Sequence, residues 1–131
     1  MTPALVRAVA ATALTMCTLD FLWLGVVAKG FYAREMGDLL RPQIQWPPAL
    51  LFYAIYVAAV VTFVVLPAVE RASLVRAIGM GAFFGLAAYA AYDLTSLALI
   101  RGFTLRAAAV DLAWGAIVTA AASAAGYLAG K

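Results

Sequence analysis

Apolar residues run along this chain in four long blocks, separated by short polar connections. The first block extends from about Ala4 to Ala28 and the second from "PPALLF" to about Val69. The third extends from about Leu74 to Ile100 and the fourth from about Leu105 to Leu128. Each holds about 20 residues or a little more, enough for an α-helix to cross a hydrocarbon core about 30 Å thick. The pattern predicts an all-α integral membrane four-helix bundle, with residues 1–131 as a single four-span transmembrane domain. Pro47 and Pro48 suit the first turn of the second helix, where a missing N–H is tolerated. Trp46 before them suits the membrane interface, and Ser73 is a good N-cap for the third helix.

Composition agrees with this reading. The chain is 67% hydrophobic and 11% charged, against about 25% charged residues in a soluble domain. The net charge of +3 comes without any basic run. Lys and Arg flanking the spans account for it, so nucleic acid is not expected as a partner and the lipid bilayer is. There is one cysteine, Cys17, and no histidine. That removes the commonest general base and metal ligand, so no cofactor and no metal site are expected. Arg7 and the apolar run behind it resemble a secretory signal. Met16 is bulky for the residue before a lipoprotein cysteine, however, and the run continues through "FLWLGVVA". The first span is therefore read as uncleaved.

Four spans bring the chain back to the face where it started. That face carries Arg7, Glu70, Arg71, Arg76 and Lys131. The opposite face, here called face B, carries Lys29, Arg34, Glu35, Asp38, Arg41, Arg101 and Arg106. Four basic residues against five leave orientation undecided by the positive-inside rule. In the long face-B connection, "FYAREMGDLL" places Phe31, Tyr32, Met36, Leu39 and Leu40 on roughly one side of a helix. This fits either a short interfacial helix between the first two spans or an ordered loop.

Polar residues inside the spans gather near face B. At 1.5 Å per residue, Asp20, Tyr53, Tyr56, Asp93 and Asp111 all fall roughly 9–14 Å inside it. Tyr89, Tyr92, Thr95 and Ser96 lie in the same half of the membrane. Gly85, Tyr89, Asp93 and Ser96 share one face of the third helix. Asp111 shares a face of the fourth with Gly115, Thr119 and Ser123. Small residues at four-residue spacing let helices approach closely in lipid. With Gly81 and Gly85 they predict a packing seam that turns the aspartates inward, with Tyr89 as neighbour to Asp93. No Lys or Arg is expected at that level; Arg101 and Arg106 are the nearest by chain position.

An ionised Asp at a helix centre costs about 2.5–3.5 kcal/mol. Three acids at one level therefore need protonation, hydration, a bound cation, or Tyr and Thr hydroxyls as partners. Three accounts stay open. The spans could slide by a turn and bring the acids to the headgroups. The polar residues could form a structural hydrogen-bond network. Or Asp20, Asp93 and Asp111, with the tyrosines, Thr95 and Ser96, could bind a proton, a cation or a small polar ligand. "DFLW" in the first span echoes "DLAW" in the fourth, and "YAIY" in the second echoes "YAAY" in the third. The members of each pair run in opposite directions through the membrane, as in an inverted repeat.

The blocks "DFLWLG", "GDLL", "ALLFYAIYVAAVVTFVVLPA", "AAYAAYDLTS" and "VDLAWG" resemble, in order, those of a bacterial membrane-protein family, domain of unknown function 2177. The family pattern has Asn after the Thr, where this chain has Ser96, and Trp near position 103, where it has Phe103. The resemblance implies a small multi-span protein of the bacterial cytoplasmic (inner) membrane and supplies no activity. Three functions remain in play. The first is a binding or permeation module built on the Asp–Tyr level. The second is an accessory subunit, its small-residue seams packed against a membrane-protein partner or another copy of the chain. The third is a membrane enzyme acting on a lipid with Asp as general acid or base.

Overall fold

The computed structural model describes residues 2–37 and 45–131. Asp38, Leu39, Leu40 and Arg41, assigned above to the face-B connection, lie outside the described residues. Four helical spans cover Pro3–Val27, Trp46–Glu70, Leu74–Leu99 and Leu105–Gly130, all long and apolar enough to cross a membrane. The first span is α1 (Pro3–Leu22) with a π-helical turn, Trp23–Val27. The short helix α2 (Lys29–Met36) follows directly. The second span comprises α3 (Trp46–Val60), a second π turn (Val61–Val65) and α4 (Leu66–Glu70). The third and fourth spans are α5 (Leu74–Leu99) and α6 (Leu105–Gly130).

Local chemistry sets the ends. Thr2, Ser73 and Thr104 cap α1, α5 and α6 by accepting backbone N–H bonds from Leu5, Arg76 and Ala107 at 3.0–3.1 Å. Pro67 explains the π turn of the second span. Its ring would meet the carbonyl one turn back, and a widened turn before it relieves that clash. The π turn of the first span contains no proline. It lies where the chain leaves α1 and folds over into α2, and Ala28 closes it by donating to the Trp23 carbonyl at 2.7 Å.

The fourth span is the axis of the bundle, packed along α5 on one flank and α1 on the other. Glycine makes both approaches close. A Cβ on Gly81 would stand 2.6 Å from Ser123 Oγ, and one on Gly85 would meet Thr119 and the Gly115 carbonyl. On the other flank a Cβ on Gly130 would fall 2.8 Å from that of Ala8. The start of α1 and the end of α6 lie side by side, and Arg7 Nε donates to the Ala129 carbonyl at 2.9 Å. The second span inserts Val60, Val61, Val64 and Val65 against Met16, Val118 and Ala122 to form the apolar core. Leu14, Phe21, Leu51, Phe63, Val75, Phe83 and Ile117 project outward, as lipid-facing positions must.

Candidate functional site

The first and last spans run antiparallel, and each carries Asp-x-x-Trp: Asp20 with Trp23, and Asp111 with Trp114. Three residues along a helix is nearly one turn. In antiparallel neighbours, the Asp of one helix therefore stands level with the Trp of the other. The two indoles stack between them, centroids 4.5 Å apart and planes 7° from parallel. Trp114 Nε1 donates to Asp20 Oδ1 at 2.7 Å. Trp23 Nε1 donates to the Tyr32 hydroxyl at 3.2 Å, which donates to Asp111 Oδ1 at 3.0 Å. Each tryptophan thus serves the other helix's aspartate, one directly and one through Tyr32.

Around this stack the carboxyls separate into two groups. Asp20 is 5% exposed. Its second oxygen accepts from the Tyr53 hydroxyl of α3 at 2.5 Å, so both oxygens are bound by neutral donors. Asp93 is fully buried on α5, and among the described residues neither of its oxygens receives an N–H or hydroxyl donor; its polar neighbour is the Asp111 carboxyl. Asp93 and Asp111 together line a cavity of about 450 Å³. Leu24, α2 residues Lys29, Tyr32, Ala33 and Met36, Tyr92, Phe103 and Ala107 complete its wall.

Helix α2 closes one side. Lys29, Tyr32, Ala33 and Met36 follow the i, i+3, i+4, i+7 rhythm of one helix face, and that face turns to the cavity. Two side-chain links dock it: Tyr32 on Asp111, and Glu35, which accepts from the Thr104 hydroxyl at 2.6 Å. Burial pushes the Tyr32 phenol well above its usual range, and the Asp111 and Asp93 carboxyls push it further. The hydroxyl therefore remains a donor. Gly102, at φ 94°, turns the chain between α5 and α6. Phe103 drops in behind it, its ring edge-to-face with Tyr92 at 5.8 Å.

The remaining polar residues fall elsewhere. Tyr56 shares a 2.8 Å hydrogen bond with Thr119. Tyr89 lies on Gly115, where a Cβ would overlap its ring, and edge-on to Tyr56 at 6.2 Å. No hydrogen bond joins the Tyr89 hydroxyl to Asp93. Tyr92 is half-exposed and lines the cavity. Ser96 is buried. Thr95 is exposed, and its hydroxyl bonds the Ala91 and Tyr92 carbonyls of its own helix. Lys29, just beyond the end of the first span, also lines the cavity. Sequence reasoning missed Lys29, Tyr32, Trp23 and Trp114. The signals were the repeated Asp-x-x-Trp and the helical rhythm from Lys29 to Met36.

Residues 5–128 match the model of a family described as predicted membrane protein, DUF2177. No curated protein and no solved structure matches the chain.

Proposed function

The chain belongs to the DUF2177 family of predicted membrane proteins, and from that premise we propose that it is a binding module for a small cationic group, seated at Asp93 and Asp111. One observation carries the reading. Asp93 is wholly buried, its two oxygens receive no N–H or hydroxyl donor among the described residues, and it lines a cavity. Buried carboxyls are almost always paired or hydrogen-bonded. One without a protein donor, beside a second carboxyl and behind a space of ligand size, suits an ammonium-type donor or a proton. No group of three or more metal-ligating Cys, Asp and Glu side chains occurs among the described residues, which favours an organic cation over a fully protein-held metal. In a bilayer, and on this reading in a bacterial cytoplasmic membrane, such a ligand would reach the site from the lipid or from the aqueous face beside α2.

The outward apolar side chains of the spans fit acyl chains as well as they fit a protein partner or a second copy. They therefore lend no weight to the accessory-subunit reading. A lipid enzyme would use the same two carboxyls as acid and base, and the cavity wall adds no nucleophile to them beyond the Tyr hydroxyls and Lys29.

The test is thermal unfolding of the purified protein in neutral detergent, with n-octylammonium as probe and octanol as uncharged control. Octylammonium is expected to raise the midpoint of the wild type, and octanol is not. Asp93→Asn keeps size and polarity, so the variant is expected to fold and to need about tenfold more probe for the same shift, one charge-assisted bond having been lost. Asp111→Asn should respond in the same direction. Equal responses to octylammonium and octanol, or no difference between wild type and both variants, would refute the reading.

A further inference from the structure

The cavity carries both signs of charge and an apolar wall, and this narrows the ligand. We propose that it takes a phosphoethanolamine group on an apolar tail: a primary ammonium joined through a short linker to a phosphate ester, as in an ethanolamine phospholipid. The inference rests on the cation-binding reading of Asp93 and Asp111.

Four features lead to it. Asp93 and Asp111 supply carboxylate oxygens that want N–H donors, and a primary ammonium has three. A quaternary ammonium has none, so the site should discriminate between the two by hydrogen bonding rather than by charge. Lys29 is the second residue after the first span ends and the first of α2. It is exposed yet lines the cavity, which puts a cation at headgroup level while the acids lie several residues inside α5 and α6. A ligand with only a positive charge would be repelled by Lys29, whereas one with a phosphate beside its ammonium uses both ends of the site. The rest of the wall is mainly Leu24, Ala33, Met36, Phe103 and Ala107, which suits the glycerol and first methylenes of a lipid.

The fourth feature is the cavity's position. Leu24 on the first span and Tyr92 on the third are 49% and 54% exposed. Both belong to membrane-spanning helices and border the cavity, so the cavity adjoins the outer surface of two spans. A cavity that adjoins the outer surface of two spans, and runs from Lys29 just beyond the first span to the acids inside the bundle, suits a lipid headgroup entering from the membrane surface. The flexible ethanolamine linker lets the ammonium fold sideways into the bundle while the phosphate stays by Lys29 and the tails remain in the membrane.

The experiment follows intrinsic tryptophan emission in neutral detergent, because Trp23 is linked through Tyr32 to Asp111. The whole protein is titrated with dioleoyl phosphatidylethanolamine, phosphatidylcholine, phosphatidylglycerol, free phosphoethanolamine and n-octylammonium. Phosphatidylethanolamine is expected to bind about tenfold or more tighter than the other two lipids, about one charge-assisted bond's worth. Lys29→Gln should weaken phosphatidylethanolamine and strengthen octylammonium, since it removes a phosphate partner from one and a like charge from the other. That reversal is something a merely destabilised variant would not produce. Free phosphoethanolamine binding as tightly as the lipid would overturn the lipid source and make the ligand a soluble one. If octylammonium binds but phosphatidylethanolamine gains nothing over phosphatidylcholine, the headgroup assignment is wrong and the cation site stands. If no ammonium probe binds, and Asp93→Asn behaves as wild type, the underlying reading falls with it.

Discussion

Asp20 and Asp93 are both buried carboxyls in the face-B half of the same bundle, and their surroundings differ in kind. Asp20 is bound on both oxygens, by Trp114 and Tyr53, each from a different span. Asp93 is bound on neither, and a cavity adjoins it. Burial alone therefore does not say whether a carboxyl is satisfied by the fold, and the count of donors on its oxygens does. A carboxyl that already holds two donors ties helices together and has little left to offer a ligand. A carboxyl with none is an expense to the fold that a ligand can offset.

The comparison is most exposed to a pair of leucine substitutions. Asp20→Leu strands the Tyr53 hydroxyl and the Trp114 N–H, and should destabilise the bundle by about 1–3 kcal/mol. Asp93→Leu removes a carboxyl that faces only Asp111, which keeps its Tyr32 hydrogen bond, and should leave the protein at least as stable as wild type. Unfolding in mixed micelles of rising SDS fraction measures both. An Asp93→Leu protein that unfolds as early as Asp20→Leu would break the distinction.

Tyr32→Phe should have a smaller effect. It removes the hydroxyl that joins Trp23 to Asp111, for a loss of about 0.5–1.5 kcal/mol. It should also change the near-ultraviolet circular dichroism of the stacked indoles, because Trp23 loses its acceptor. An unchanged spectrum would mean that the stack is held by ring packing alone and that the two carboxyl groups are not linked through it. Thr95→Ala should be the mildest change. The hydroxyl is exposed and bonded within its own helix, so stability should stay within about 0.5 kcal/mol of wild type and octylammonium binding should not move. A clear loss of binding would bring Thr95 into the site and enlarge it beyond the cavity described.

The four spans were legible because length and hydropathy are local properties, and the observed ends differ from the expected ones by only a residue or two. The cap at Ser73 follows the same logic, since a hydroxyl and the N–H three residues on are close in any helix start. The small-residue positions of α5 and α6 were legible as well, because four-residue spacing fixes a face without knowledge of its neighbour. The π turns were not legible. Pro67 hints at one, but the turn that absorbs the clash depends on how the whole span packs. The helix from Lys29 to Met36 could be read as a helix, whereas which way it faced could not. Tyr32 and Met36 are as suited to headgroups as to a cavity.

Sequence alone thus determined the all-helical membrane architecture and how far along each span Asp20, Asp93 and Asp111 lie, because rise per residue converts directly into distance along a helix. Only the tertiary structure decided which acid was satisfied. Depth says nothing about lateral neighbours, and those follow from which helices pack side by side. The antiparallel meeting of α1 and α6 crossed the two Asp-x-x-Trp pairs, α3 brought Tyr53 to Asp20, and α2 brought Tyr32 to Asp111 and Lys29 to the shared cavity. Asp93 had no donor brought to it among the described residues, and that lateral accident of packing is what no periodicity along the chain encodes.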